Sequence, residues 1–227
     1  MTMSGQGMQR VKVWDGWVRL FHWGIVALLA VSWITAENGL DRWHALSGYA
    51  VLTLLLFRIA WGFVGSDTAR FSRFLRSPGA ALAHLKALRR RELDAEIGHN
   101  AAGGWMVLVL LGLLLVQALS GLFANEEPGF DYGAHGPLAL LVSDRTSDRL
   151  TWLHNLNFNL ILAVVALHVL AVLAYAVLKR QDLVRPMITG WKRLPASVRA
   201  PRLGHPMLAL TLLLGAALLV WRITALG

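Results

Sequence analysis

The 227-residue chain contains no cysteine. That excludes disulfides, iron–sulfur clusters, thiolate-ligated haem and covalent haem attachment through C-x-x-C-H. Any haem in such a chain is held non-covalently, by His or Met. Charge is scarce as well. Only 15% of the residues are Asp, Glu, Lys or Arg and 56% are hydrophobic, whereas a soluble domain has about a quarter of its residues charged. Acidic residues are the scarcer sign, 13 against 22 Lys and Arg, for a net charge of +9. A charge of that size invites a nucleic-acid reading. Its distribution argues against one, because the basic residues are gathered in alternate loops between apolar runs, as in an integral membrane protein.

Five runs are long and apolar enough to cross a bilayer: residues 18–36, 44–64, 103–124, 152–178 and 207–226. The first is too long for the apolar core of a signal peptide and lacks a following A-x-A site, so it reads as a retained helix. Pro201 and Pro206 separate the fifth run from what precedes it. With the first four spans on a common axis, 17 Lys and Arg fall on one side and four on the other, with Arg58 inside a span. This predicts a cytoplasmic N-terminus and a C-terminus outside. The ten Trp cluster near span ends, as an interfacial belt requires. The outer loops carry Glu37, Asp41, Glu126, Glu127, Asp131, Asp144 and Asp148, a negative face that either docks a basic partner or simply solvates short loops. On the inner side, residues 80–91 read either as a basic amphipathic surface helix or as a solvated loop.

Four of the eight histidines fall in or at the ends of spans. His154 and His168 share one run, 14 residues apart. At about 100° and 1.5 Å per residue they lie on nearly one helix face, roughly 21 Å apart along the axis. Two imidazoles so placed can each hold a haem iron, one per leaflet. His44 is at the outer depth of His154 and His22 at the inner depth of His168, so depth alone predicts the pairs His44–His154 and His22–His168. Ionisable groups in spans are uncommon and tend to be functional. Zinc would need ligands converging on one point, and a proton relay has little use for paired depths. His84, His135 and His205 read as solvated or interfacial. His99, with Asn100, precedes the third span at the inner face, where the two could hydrogen-bond a quinone head-group.

Arg58 follows His44 by 14 residues and so points the same way in the opposite leaflet. It and Arg19 either meet the propionates of the inner haem or snorkel to the surface. Gly24 and Gly48 either let a flat macrocycle approach the backbone or serve small-residue helix packing.

The segments "VKVWDGWVRLFHW", "WHALSGYAVLTLLLFRIAWGFVG", "GHNAAGGWMVLVLLGLLLVQALSGLF" and "LHNLNFNLILAVVALHVLAVLAYAVLKRQDLVRPMITGWKR" resemble, in family order, the bacterial cytochrome b561 / nickel–iron hydrogenase b-type cytochrome family. The resemblance covers residues 11–193. It implies an all-α, four-helix transmembrane bundle holding two b-type haems by bis-His ligation, the inner by His22 and His168 and the outer by His44 and His154. Related formate dehydrogenase subunits bind quinone near the inner haem at the start of the third helix, where His99 and Asn100 stand here. The fifth span, in the added segment 194–227, departs from the four-helix core. It resembles a subgroup of stand-alone cytochromes b, for which an exported c-type cytochrome is a more natural partner than a hydrogenase.

The reading that follows is a di-haem cytochrome of a bacterial inner membrane, four helices forming the haem bundle and the fifth peripheral. It passes electrons between quinone and a periplasmic c-type cytochrome or hydrogenase-type subunit. Two rivals stand beside it: a quinone-coupled oxidoreductase of the same fold acting on a small oxidant such as superoxide at the outer face, and a membrane anchor with no redox role.

Overall fold

The computed structural model describes residues 7–87, 96–125 and 135–226. Among these, five helices are long and apolar enough to cross a membrane: α1 (Gly16–Glu37), α2 (Asp41–Val64), α5 (Ala101–Gly121), α6 (Asp144–Leu178) and α8 (Pro206–Thr224). The all-α membrane class expected from the sequence is thus observed. In lipid the helix satisfies every backbone group within one segment, which is why runs of this length take that form. Short elements fill the connections: α3 (Phe71–Phe74), α4 (Pro78–Lys86), α7 (Val184–Thr189) and two five-residue strands, β1 (Met8–Lys12) and β2 (Trp191–Pro195).

Span ends differ from those read off hydropathy. The fourth helix begins at Asp144, eight residues before the apolar run, and continues for 35 residues, about 52 Å. Its first two turns carry Asp144, Arg145, Asp148 and Arg149, which apolar scoring discards and helix geometry does not. Conversely α5 stops at Gly121, three residues short of the expected end. The basic inner connection forms α4, started by Ser77, whose hydroxyl accepts from the Ala80 amide, with Pro78 in the first turn; its Leu82 and Leu85 are exposed. Of the segment read as an amphipathic helix, residues 88–91 lie outside the described residues, as do Glu126, Glu127 and Asp131 of the outer acidic set.

The chain forms two compact units, and several helices contribute to both. The first comprises residues 1–20, 59–108 and 166–209. In it β1 and β2 pair antiparallel, Met8 opposite Pro195 and Lys12 opposite Trp191. Val11 and Leu194 are buried on its inner face. The chain then passes Gly190, whose carbonyl accepts from the Val13 and Trp14 amides, to Asp15. This side chain is 5% exposed. One carboxylate oxygen caps α1 by accepting from the Val18 amide at 2.7 Å; the other accepts from the buried Trp61 indole at 3.1 Å. Thr68 donates to the Val13 carbonyl. Ser66 and Asp67 accept from the Gly204 and Arg202 amides, which ties in the segment leading to α8.

The second unit comprises residues 21–58, 109–165 and 210–227. Here α1 and α2 form a helical hairpin. Gly39 adopts a left-handed backbone (φ 63°), and the Gly39 and Leu40 amides bond back to the carbonyls of Ala36 and Thr35, a Schellman closure. Gly24 lets the hairpin close tightly, since a Cβ there would stand 3.0 Å from Leu54; that favours its packing reading. Asn157 donates to the Leu113 carbonyl and the Gln117 side chain, joining α6 to α5 as polar groups do between membrane helices. The fifth helix buries one face in this unit: Val220 forms a core cluster with Leu52 and Leu122.

Asp15→Ala removes a helix cap and leaves a buried indole N–H without its acceptor. The expected loss is about 2–4 kcal/mol, read as a lowered thermal unfolding midpoint in detergent, with Asp15→Asn losing less.

Candidate functional site

In the second unit His44, in the first turn of α2, and His154, on α6, face each other with ring centroids 6.1 Å apart and planes at 79°. Each ring is fixed from behind. His44 Nδ1 lies 2.9 Å from the Ser32 carbonyl, and His154 Nδ1 lies 2.9 Å from the Gln117 carbonyl. A carbonyl only accepts, so both Nδ1 atoms carry the proton, and in a neutral imidazole Nε2 then bears the lone pair. This arrangement orients a metal-ligating histidine and raises its basicity. Two imidazoles gripping one metal from opposite sides, with metal–nitrogen distances of about 2 Å, have ring centres roughly 6 Å apart. The observed separation fits such a group. Among the described residues no three His, Cys, Asp or Glu side chains converge as a metal cage.

The surroundings of this pair are built for close approach. At Gly121, where α5 ends, a Cβ would stand 2.9 Å from His154 Cε1 and 3.2 Å from its Nδ1. Only glycine admits the ring there without displacement. Ser120 places its hydroxyl 3.2 Å from the same nitrogen while bonding the Val116 carbonyl. Ser47 donates to the His44 carbonyl and meets Ser32 at 2.7 Å. Gly48, one turn beyond His44, is half-buried and has nothing within 4 Å of a built Cβ. Sequence reasoning singled out Gly48 and missed Gly121, because closeness between residues 121 and 154 leaves no mark in the local pattern.

The other predicted residues are placed as follows. His22, on α1, packs edge-on against the Trp23 ring at 4.9 Å and belongs to the second unit; His168, half-buried on α6, belongs to the first. Arg58 is 2% exposed, with its guanidinium 6.0 Å from the Phe21 ring centre, so it is turned inward and does not reach a lipid-facing surface. Arg19 bonds the carbonyls of Asp15 and Ile188. Its guanidinium therefore fastens the start of α1 to the end of α7, a structural duty absent from the sequence reading.

In the first unit His99 lies between Trp14 (4.7 Å) and Phe74 (4.8 Å). Asn100 caps α5, its side-chain oxygen accepting from the Gly103 amide at 2.8 Å, while its amide donates to the Tyr175 hydroxyl at 2.6 Å. The same hydroxyl bonds His84 Nε2, and the two rings stack. His84, expected to be solvated, is thus part of a polar set with Asn100 and Tyr175.

A family model described as prokaryotic cytochrome b561 matches residues 13–190. A protein of Azotobacter vinelandii named "Probable Ni/Fe-hydrogenase B-type cytochrome subunit" is 22% identical in an alignment of 227 residues that covers 83% of this chain and 93% of that protein. No solved structure matches the chain.

Asn100→Ala removes the cap of α5 and its bond to Tyr175. The expected cost is about 1 kcal/mol, detected as faster hydrogen exchange of the Gly103 amide, with the amides beyond the first turns of α5 unchanged.

Proposed function

The chain belongs to the prokaryotic cytochrome b561 family, and we propose that it is a di-haem b-type cytochrome carrying electrons between the quinone pool and a redox partner at the periplasmic face. Family membership makes it a membrane cytochrome of electron transport with haem b. The two haems, the quinone, the partner and the orientation are our reading. The observation that carries it is the opposed pair His44–His154, with both Nδ1 atoms on backbone carbonyls and a ring separation of 6.1 Å.

Haem b supplies one-electron chemistry when bound. In the proposal His44 and His154 hold the outer haem, and His22 and His168 the inner. The Ser32 and Gln117 carbonyls hold the outer ligand rings in plane and keep Nε2 available. Held by two histidines, a haem would have no position left for oxygen and would serve electron transfer. Arg58, a buried cation, and Arg19 are the proposed propionate contacts of the inner haem. The quinone site is carried at His99 and Asn100, one ring between two aromatics and one side chain in the Asn100–Tyr175–His84 set. The charge bias of the loops supports a cytoplasmic N-terminus and a periplasmic C-terminus in a bacterial inner membrane. Residues 11–193 form the haem domain in this reading, and 194–227 add the fifth span. A c-type cytochrome suits the acidic outer residues Glu37, Asp41, Asp144 and Asp148. The name of the Azotobacter relative points instead to a hydrogenase-type subunit.

A pyridine haemochrome assay with a reduced-minus-oxidised spectrum tests the reading. The purified protein is expected to carry about two low-spin b haems per chain, each ligated through two histidines. His154→Ala is expected to remove the outer haem and His22→Ala the inner one. Loss of both haems from either change, in a folded protein, defeats the depth pairing; a well-folded protein without haem, from haem-replete cells, favours the anchor. Gly121→Ala is expected to displace the His154 ring and lower outer-haem occupancy severalfold while the helical circular dichroism stays unchanged.

A further inference from the structure

The paired strands β1 and β2 and the chain leaving α6 for α7 carry a concentration of positive charge that the electron-transfer reading does not use. A cleft of about 380 Å³ opens there, lined among others by Arg10, Arg180, Arg185, Lys192 and Arg193. The single carboxylate among its lining residues is Asp182. One of its oxygens already accepts from the Val184 and Arg185 amides at 2.9 and 3.0 Å.

The strand register sharpens the problem. Arg10 and Arg193 are direct cross-strand partners, and both are exposed on the outer face of the ribbon. Like charges directly opposite in an antiparallel pair are destabilising. Arg10 stacks over the Trp191 ring at 5.4 Å, which holds its guanidinium at the cleft. Lys192 donates to the Glu96 carbonyl. Arg180 turns the chain out of α6 with φ 50°, a left-handed backbone that residues with a side chain rarely adopt. The following Gln181 amide bonds back to the Tyr175 carbonyl, so this is the turn by which α6 ends.

The cleft also sits at a defined depth. Arg180 is two residues beyond the last residue of the spanning helix α6, Leu178, so the cleft lies where the span leaves hydrocarbon. Its lining includes the exposed apolar side chains of Met8 and Trp191, and the helices that end there expose Val177 on the last turn of α6 and Val184 and Ile188 on α7. A ligand that answers both halves has a phosphodiester for the arginines and acyl chains for the apolar side chains. We propose that this cleft binds the head-group of an anionic membrane phospholipid, with the phosphate between Arg10 and Arg193 and the acyl chains along the end of α6. Basic pockets at the membrane surface beside spanning helices take such lipids by the same forces.

The test uses the full-length protein, delipidated in detergent, with phosphatidylglycerol, cardiolipin and phosphatidylcholine as probes. Native mass spectrometry and the thermal unfolding midpoint are the readouts. Anionic lipid is expected to bind at least tenfold tighter than phosphatidylcholine and to raise the midpoint. Arg185→Gln and Arg193→Gln are expected to weaken anionic-lipid binding about tenfold, whereas Arg145→Gln, at the start of α6, leaves it unchanged. Because Arg193→Gln relieves the cross-strand repulsion, it is also expected to leave the lipid-free midpoint equal or higher, so weaker binding is separable from misfolding. Equal binding of anionic and zwitterionic lipid, or unchanged anionic-lipid binding in both variants, overturns the proposal. Full competition by millimolar inorganic phosphate or glycerol 3-phosphate also overturns it, by assigning the cleft to a free phosphate.

Discussion

An imidazole set among membrane helices has two polar nitrogens and no water to satisfy them. The second unit answers this for one nitrogen of each ring with a backbone carbonyl, Ser32 for His44 and Gln117 for His154. Much of the neighbourhood depends on that arrangement. It fixes which nitrogen carries the proton, holds each ring against a neighbouring helix, and leaves Nε2 of each ring with the lone pair. The Asn157–Gln117 and Asn157–Leu113 bonds hold α5 against α6 at the level where this is needed. Gly121 provides the clearance. An unsatisfied polar group in hydrocarbon costs several kcal/mol, so the orientation of the rings and the stability of the helix contacts rest on the same hydrogen bonds.

The five spans were legible because hydrocarbon thickness imposes a minimum length on an apolar run, and that length is visible in sequence. Their ends were less so. Hydropathy reports where a helix meets lipid, and α6 continues for two turns of charged residues beyond that point. The facing of His44 and His154 was legible from depth, since two histidines at one end of two spans share a level. What surrounds them was not. The Gln117 carbonyl, the Gly121 clearance and the His84–Tyr175–Asn100 set join residues 33 to 91 positions apart, and no local period encodes them. Arg19 is a further case. Its bonds to the carbonyls of Asp15 and Ile188, the second 169 residues away, carry no sequence signal, whichever ligand role the residue has.

The two units solve different problems. The second is largely apolar and admits polar groups in small bonded sets, such as His44 with Ser32 and Asn157 with Gln117. The first is held by a buried carboxylate: Asp15 fixes the start of α1 and the indole of Trp61 together, while Arg19 and the Gly190 carbonyl bind the same stretch to the end of α7. Such a frame suits the place where basic loops emerge from the spans, because its rigidity comes from directional bonds and depends little on excluding water.

The pairing of β1 with β2 also dictates an order of events during synthesis. About 180 residues separate the two strands, and at 5–20 residues per second a ribosome takes roughly 10–40 seconds to make that length. Residues 8–12 therefore wait without their partner while α1, α2, α5 and α6 are made and delivered to the membrane. The Gly190 carbonyl that receives Val13 and Trp14 arrives equally late. The cytochrome's N-terminal segment thus behaves as a latch that closes late, and a nascent chain halted before residue 191 has its first four spans but lacks both α8 and the ribbon.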